Sequence, residues 1–298
     1  MTFDLIAIIV WFSFMVSAGI GFFNASSPEL TRIQYQPANQ PILLNQNKLA
    51  TSTAASVMVL DNNSGAGLWE KNSTTTLPIA SITKLMTALV FLRTQPVWDQ
   101  VVKIEESDAR DGGLVQLVAG DEVKVRDLFN LMLISSTNEA AAALARISNL
   151  KDFVGEMNNQ AQSMGLKDTK FVDPTGLDPK NVSTAKDLAR LAQTAFLKKE
   201  IIGAVTSSEY NFKTQNFNKE IKVASTDLLL DSFLNKDDYK IVGAKTGYLS
   251  EIGYCLLMSV QRRDNKSLTL VILGAPTQFD RWSETKSLVD WAWKNYKF

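Results

Sequence analysis

Hydrophobic residues follow three different patterns along the chain. Residues 5–23 form an apolar run without a charge, and residues 24–50 are rich in Asn, Gln, Ser and Pro without a hydrophobic period. From residue 51 onward, short alternating or apolar runs are mixed with segments of helical period. Because alternation indicates strands and a 3.6-residue period indicates helices, we predict an N-terminal apolar segment (1–23), a polar linker (24–50) and a folded domain (51–298).

The N-terminal apolar run has the length of a membrane-spanning helix, since about 20 apolar residues cross a bilayer. A cleaved signal peptide is the alternative, because Val16-Ser17-Ala18 provides a small-residue cleavage site. The run is longer than a usual signal-peptide core, and Asp4 stands where Lys or Arg is typical. We therefore expect an uncleaved membrane anchor.

The folded domain begins and ends with predicted strands and has predicted helices between them. The strand patterns in chain order lie at 56–60, from 68, and at 240–247, 252–261 and 267–274. The helical patterns lie at 79–93, 125–134, 139–148, 151–164, 184–197 and 279–296. This order predicts one sheet built from both ends of the chain, covered by helices, with a mostly helical lobe beside it. The cleft between them is the expected position of a site.

Composition narrows the chemistry that this domain can perform. The 298 residues include 31 basic and 31 acidic side chains, one cysteine and no histidine. Without histidine the chain has no Ser-His-Asp relay and no His-ligated zinc site, and one cysteine allows no internal disulfide. A net charge of zero leaves no basic surface for nucleic acid. Lys, carboxylates, Tyr and Ser remain as proton carriers, and we expect no metal or cofactor.

A lysine-activated serine is the nucleophile that suits such a chain, and the pattern Ser-x-x-Lys occurs four times. The pairs are Ser81/Lys84, Ser148/Lys151, Ser183/Lys186 and Ser283/Lys286. Ser148 and Ser283 are predicted on polar faces beside solvated lysines. Ser183 is predicted at a helix start, where the residues that follow are spaced as a capping box.

Ser81 differs because it opens a helix that is apolar almost all round. A lysine buried in such a helix must be paired or neutral. Residues three apart share a helix face, so a neutral Lys84 amine can act as a general base toward the Ser81 hydroxyl. Taken alone, the motif is better explained by a snorkelling lysine beside an N-terminal serine.

Two further motifs follow in the chain. Ser136-Thr137-Asn138 lies between two predicted helices, where Thr137 or Asn138 could cap the second helix or could relay a proton and orient a substrate. Lys245-Thr246-Gly247 ends a predicted edge strand. It has Ala244 where a phosphate loop needs glycine, so it suits either an exposed turn or the binding of a peptide and its terminal carboxylate.

The three motifs in this order resemble those of the serine D-alanyl-D-alanine carboxypeptidases, the low-molecular-weight penicillin-binding proteins of peptidase family S11. The resemblance covers about 54–298, and Gly176-Leu177-Asp178 and Gly253-Tyr254 support it. It implies an α/β (α+β) domain with the β-lactamase/transpeptidase-like fold. Stem peptides of peptidoglycan would be the substrates, and β-lactams would be covalent inhibitors.

The resemblance also implies a role for each motif residue. Ser81 would form the acyl-enzyme with Lys84 as proton acceptor, and Ser136 and Asn138 would relay a proton and orient the peptide. Lys245, Thr246 and Gly247 would bind the substrate, with the backbone amides of Ser81 and Tyr248 forming the oxyanion hole. Exported relatives of this kind act on the outer face of the bacterial cytoplasmic membrane, to which the N-terminal segment would hold this chain.

Some features of the sequence leave alternatives open. Single-domain relatives include endopeptidases that cut crosslinks, and a β-lactamase or a β-lactam sensor is a more distant alternative. The sequence contains no convincing glutamate motif for the fast deacylation of a β-lactamase. The stripe Trp282, Thr285, Val289 and Trp293 on the last helix predicts packing against the sheet rather than a membrane-surface helix. Cys255, within an apolar strand, is expected in the core rather than as a nucleophile.

Overall fold

A computed structural model of the protein describes residues 40–44 and 50–298. The predicted anchor (1–23) and most of the predicted linker (24–50) lie outside these residues. In the described ranges, no helix is both long and apolar enough to cross a bilayer.

The strands are named in chain order by their position. They are β1 (Ile42–Leu43), β2 (Ser56–Asp61), β3 (Gly67–Lys71), β4 (Leu77–Pro78), β5 (Val101–Lys103), β6 (Glu122–Lys124), β7 (Val182–Ser183), β8 (Glu209–Lys213), β9 (Glu220–Ala224), β10 (Tyr239–Leu249), β11 (Gly253–Arg262), β12 (Ser267–Ala275) and β13 (Tyr296–Lys297).

The α-helices are α1 (Thr83–Arg93), α2 (Val125–Ile134), α3 (Asn138–Ile147), α4 (Phe153–Ser163), α5 (Ala185–Ala195), α6 (Lys199–Val205) and α7 (Gln278–Asn295). Short 3₁₀ helices lie at Ala80–Ile82, Glu106–Asp108, Leu228–Asp231 and Phe233–Asn235.

The central sheet of the described chain is antiparallel, with the strand order β10-β11-β12-β2-β3. Two of these strands come from the start of the domain and three from its end, which confirms the predicted sheet. β10 is an edge strand, and in its register with β11 Gly247 lies opposite Cys255. In addition, Ile42–Leu43, from within the predicted linker, pairs with Tyr296–Lys297.

The two faces of the sheet belong to two hydrophobic cores. In β2, Val57 and Val59 enter one core while Met58 and Leu60 enter the other, as expected of a strand buried on both faces. α7 covers the first face with the predicted stripe, whose four side chains are all buried, so this helix packs against the sheet. α5 packs on the opposite face and contacts α1, which lies among the helices of the lobe.

The start of α1 lies where the lobe meets the sheet. The turn Ala80–Ile82 contacts both β10 and β11, and every residue of α1 from Thr83 to Phe91 is buried. A helix that is apolar all round is stable only inside a protein, and here other helices and the sheet surround it.

The hydrophobic pattern missed the short elements of the described chain. The hairpins β5–β6 and β8–β9, the short helix α6 and the two-residue strands were not predicted, although the five strands of the central sheet and the six longer helices were. β5 and β6 have three residues each. Such strands are shorter than the window in which a period can be recognised.

Candidate active site

Ser81 and Lys84 meet at the junction between the lobe and the sheet. Nζ of Lys84 lies 2.9 Å from Oγ of Ser81. The residue before the serine, Ala80, has a left-handed backbone with φ of 49°, which turns the chain just ahead of α1. Ser81 stays partly exposed while Lys84 is fully buried, so the hydroxyl is accessible and the amine is not.

The surroundings of Lys84 favour its neutral form. Burial lowers its pKa from 10.5 to about 7, and the negative charges of Asp173 and Glu139 oppose a further decrease. At neutral pH a large fraction of the amine is therefore unprotonated. An amine whose pKa lies near the working pH is suited to general base catalysis.

Hydrogen bonds orient the amine of Lys84 toward the serine. Nζ donates to Oδ1 of Asn138 at 2.7 Å and to the carbonyl of Thr175 at 2.6 Å. These two bonds use the two hydrogens of a neutral amine, which leaves its lone pair for the hydroxyl proton of Ser81. The pair thus has the geometry of a nucleophile beside its base.

The carbonyl of Thr175 is positioned by a loop that Asp173 organises. The Asp173 carboxylate accepts hydrogen bonds from the hydroxyl and amide of Thr175 and from the amides of Gly176 and Asp178. A Cβ atom on Gly176 would lie 2.1 Å from the carbonyl oxygen of Ala80, so the loop packs directly on the turn that carries the nucleophile. Sequence reasoning noted Gly176-Leu177-Asp178 but missed Asp173 and Thr175, which an Asp-x-Thr turn signal could have indicated.

The Ser136–Asn138 motif enters the site from the connection between α2 and α3. Ser136 has a left-handed φ of 63°. Asn138 is buried, and its amide nitrogen donates to the carbonyl of Gly112 at 2.8 Å, which aims its oxygen at Lys84. The helix-cap interpretation is wrong, because Thr137 occupies the cap position without a capping bond from its side chain. Its hydroxyl lies 2.8 Å from that of Ser135 instead.

The third motif lies on the edge strand β10. Lys245 is buried, and its Nζ donates to Oγ of Ser136 at 2.9 Å and to the carbonyl of Thr246 at 3.2 Å. Burial lowers the pKa of Lys245 well below 10.5, and the neighbouring charges of Lys84 and Arg281 lower it further. The second and third motifs therefore meet through this amino group.

Gly247 brings β10 against the turn that carries the nucleophile. A Cβ atom at this position would lie 3.0 Å from Cβ of Ala80 and 3.3 Å from the backbone nitrogen of Ser81. A glycine allows this close approach of two backbones. The next residue, Tyr248, is exposed and packs on Tyr254 with 4.6 Å between ring centroids.

Two further charged residues lie behind β10, and sequence reasoning missed both. Arg281 of α7 is buried and donates to the carbonyls of Gly247 and Cys255, each at 3.3 Å. Asp227, which precedes the 3₁₀ helix Leu228–Asp231, is also buried. Both residues come from segments outside the three motifs, so no spacing rule connected them to the site.

The remaining candidates fall outside this arrangement. Lys151 and Lys186 are exposed and Lys286 is half-buried. Ser148 was predicted on a polar face but is buried, where it donates to the carbonyl of Ala145.

Cys255 is fully buried, as predicted for a core residue, and burial raises the pKa of its thiol to about 11. Among residues 40–44 and 50–298, no group of three or more Cys, Asp or Glu side chains could hold a metal ion.

Known proteins match both the sequence and the fold. The family model described as D-alanyl-D-alanine carboxypeptidase matches residues 44–277. A D-alanyl-D-alanine endopeptidase from Pseudomonas aeruginosa is 34% identical over 266 residues, covering 88% of this chain and 83% of the relative. The D-alanyl-D-alanine carboxypeptidase DacF of Bacillus subtilis is 30% identical, and this match covers 82% of the chain but only 63% of the relative's length.

Among solved structures, penicillin-binding protein D2 of Listeria monocytogenes in its cefotaxime-bound form superposes with a TM-score of 0.71. It is 30% identical, and the match covers 83% of this chain and 99% of that one. The fold is thus the β-lactamase/transpeptidase fold of penicillin-binding proteins, and the site is that of a serine hydrolase. The chain belongs to the D-alanyl-D-alanine carboxypeptidase family, peptidase family S11.

Proposed function

We propose that this enzyme is a serine D,D-carboxypeptidase that removes the terminal D-alanine from peptidoglycan stem peptides during cell-wall remodelling. The observation that carries this proposal is the accessible Ser81 hydroxyl 2.9 Å from a buried amine whose pKa is about 7. The description of the family supports the choice of substrate.

Acylation begins when Oγ of Ser81 attacks the carbonyl carbon of the penultimate D-alanine. Its proton passes to Nζ of Lys84, and the backbone amides of Ser81 and Tyr248 stabilise the negative oxygen that forms. Each such donor contributes roughly 3 kcal/mol in comparable enzymes. When the C–N bond breaks, Lys84 gives this proton to the leaving amine by way of the Ser136 hydroxyl, and free D-alanine departs from an ester on Ser81.

The carboxylate of the leaving D-alanine is bound at β10. Lys245 supplies a positive charge and Thr246 a hydroxyl, and the backbone of the edge strand at Gly247 pairs with the peptide. Deacylation uses the same base again. Lys84 accepts a proton from the water that attacks the ester, and it gives this proton to Oγ of Ser81 as the shortened peptide leaves.

An endopeptidase that cuts peptidoglycan crosslinks is the second candidate. It is favoured by the P. aeruginosa relative, an endopeptidase that matches over 83% of its own length. Both reactions pass through the same type of acyl-enzyme, because they differ only in the amine that leaves. The carboxypeptidase and endopeptidase alternatives therefore share every residue named above.

β-Lactams would be covalent inhibitors held at the acyl stage, in keeping with the cefotaxime-bound form of the Listeria protein. An anchor at residues 1–23 would hold the domain on the outer face of the cytoplasmic membrane, where peptidoglycan lies. No nucleic-acid partner and no cofactor enter this proposal.

Fluorescent penicillin and intact-mass measurement test the nucleophile. We expect a stable adduct of one penicillin on the wild type and none on Ser81→Ala. Labelling that persists in the variant would show that another residue is the nucleophile. Rapid loss of the adduct with release of opened penicillin would indicate a β-lactamase.

Purified muropeptides test the substrate. Release of D-alanine from pentapeptides, without cleavage of crosslinked dimers, is the expected result for a carboxypeptidase. Cleavage of the dimers would favour the endopeptidase. A stable penicillin adduct together with no reaction on either muropeptide would indicate a β-lactam sensor.

A further inference from the structure

Thr226 connects the second and third motifs although it belongs to neither. Its backbone amide donates to the carbonyl of Ile134 at 3.1 Å, and Ile134 ends α2 just before Ser135 and Ser136. Its hydroxyl lies 2.6 Å from the hydroxyl of Thr246 on β10. Thr226 therefore bridges the two walls of the site, one carrying Ser136 and the other Thr246.

The hydroxyls of Thr226 and Thr246 form an isolated pair. Within the part of the chain that the structure describes, neither hydroxyl has another hydrogen-bond partner. Thr246 is 5% exposed and Thr226 is half-buried, so the pair is largely shielded from water. Two hydroxyls carry two hydrogens, and the bond between them uses one. One hydrogen remains for an acceptor that enters the site.

A carboxylate at Thr246 decides the direction of this bond. An ionised carboxylate only accepts hydrogen bonds, so Thr246 must turn its hydrogen toward it. The oxygen of Thr246 then accepts the hydrogen of Thr226, and the chain runs from Thr226 through Thr246 to the carboxylate. Hydrogen bonds in such a chain polarise and strengthen one another. Without the Thr226 hydroxyl, the substrate would have to order the Thr246 hydroxyl by itself.

We propose that Thr226 is a positioning residue for the substrate carboxylate, because its hydroxyl orients and polarises the Thr246 hydroxyl that binds this carboxylate. The proposal rests on the proposed function in one respect, namely that Thr246 binds the carboxylate of the substrate. Thr226 thereby takes part in the reaction from outside the three motifs, through a hydrogen bond of 2.6 Å.

The test compares acylation by fluorescent penicillin, which carries a carboxylate, with acylation by its methyl ester. In Thr226→Val we expect the second-order rate with the penicillin to fall about fivefold, the usual effect of one lost hydrogen bond. The rate with the methyl ester should fall by less than about twofold, because a neutral ester accepts a weaker bond than a carboxylate. Thr226→Ser retains the hydroxyl and should restore the rate with the penicillin.

A matched control is Thr269→Val. Thr269 also has a buried hydroxyl 2.6 Å from another hydroxyl, that of Ser259, but it lies on β12 and outside the site. We expect this variant to retain both wild-type rates. In a Thr246→Val background, Thr226→Val should cost less than about twofold, because the hydroxyl on which Thr226 acts is then absent.

An unchanged rate with the penicillin in Thr226→Val would overturn the proposal. Equal losses with the penicillin and its methyl ester, or a full loss in the Thr246→Val background, would also overturn it, since either result would show a general disturbance of the site. Thr226→Ala is a second variant without the hydroxyl. If neither variant folds, Thr226 is a structural requirement and the proposal fails. If the wild type reacts with penicillin but cleaves neither muropeptide, the proposed function fails while this test remains valid.

Discussion

Lys84 and Lys245 are both fully buried, and Nζ of each lies 2.9 Å from a serine hydroxyl. Their other partners differ. Lys84 donates to two oxygen acceptors supplied by distant parts of the chain, Asn138 and Thr175. Lys245 donates to the carbonyl of its own neighbour on the strand. The first arrangement leaves a lone pair for a serine proton, and the second places an amino group beside a strand edge.

The charges around the two lysines differ as well. Burial lowers the pKa of Lys84 to about 7 against the opposing charges of Asp173 and Glu139. Burial also lowers the pKa of Lys245, but there two cations lower it further and one anion opposes them. A Ser–Lys contact therefore does not assign a role by itself. The role depends on what else surrounds each amine, and the following variants test this difference.

Lys84→Met should have the largest effect, because it removes the base. General bases contribute about 10² to 10⁴ in rate, so we expect acylation by fluorescent penicillin to slow by about a thousandfold. Lys186→Met is the control, since this lysine has the same spacing from a serine but is exposed. A comparable loss in the control would contradict the assignment of Lys84.

Gly176→Ala should remove the support of Lys84 without touching the lysine. The added methyl would meet the carbonyl of Ala80, displacing the Thr175 carbonyl and the serine turn. Misplacement of about 1 Å costs about a hundredfold in rate, and the acylation rate measures it. Gly65→Ala is the control, because Gly65 also has positive φ but has open space around it. Equal losses in both variants would show that backbone strain, not the contact, is responsible.

Lys245→Met should impair binding rather than chemistry. Hydrogen bonds to charged groups contribute about 1.5–3 kcal/mol, so we expect KM for the pentapeptide to rise about 10- to 100-fold, with a smaller change in kcat. Lys240→Met, an exposed lysine on the same strand, should leave KM unchanged. A loss confined to kcat would give Lys245 a chemical role and would break the comparison.

The pH profile should show the smallest effect. Lys84 must be neutral to act, so kcat/KM should rise with pH through about 7. Glu139→Gln removes an anion that raises the pKa of Lys84, so the acidic limb should move to lower pH by less than about one unit. Glu156→Gln, whose carboxylate pairs with Arg93 on the surface, should not move it. A shift to higher pH would contradict the sign of this interaction.

Much of the fold could be predicted because it follows from local patterns. The continuous apolar run of β2 indicates a strand that is buried on both faces, and the helical period of α7 indicates which of its side chains face the sheet. Short elements such as β5 and β6 have too few residues to show a period.

The parts of the site that escaped prediction are polar residues in loops or on long helices. Asp173, Asp227 and Arg281 reach the motifs only through tertiary contacts, and none of them has a fixed spacing from Ser81, Ser136 or Lys245. The sequence left two interpretations of Asn138 open, because an asparagine at the start of a helix can either cap that helix or bind groups elsewhere in the protein. The hydrogen bonds of its side chain to Lys84 and to the carbonyl of Gly112 show that it does the latter.

The four Ser-x-x-Lys pairs separate what the sequence determined from what the tertiary structure decided. Spacing along a helix is a property of the backbone, so the sequence alone determined that Ser81 and Lys84 could meet. It also excluded histidine from the mechanism. The pKa of an amine depends on water and charge around it, and segments far apart in the chain supply these surroundings. Only the tertiary structure decided that the pKa of Lys84 lies near 7 and that Asn138 and Thr175 accept its hydrogen bonds.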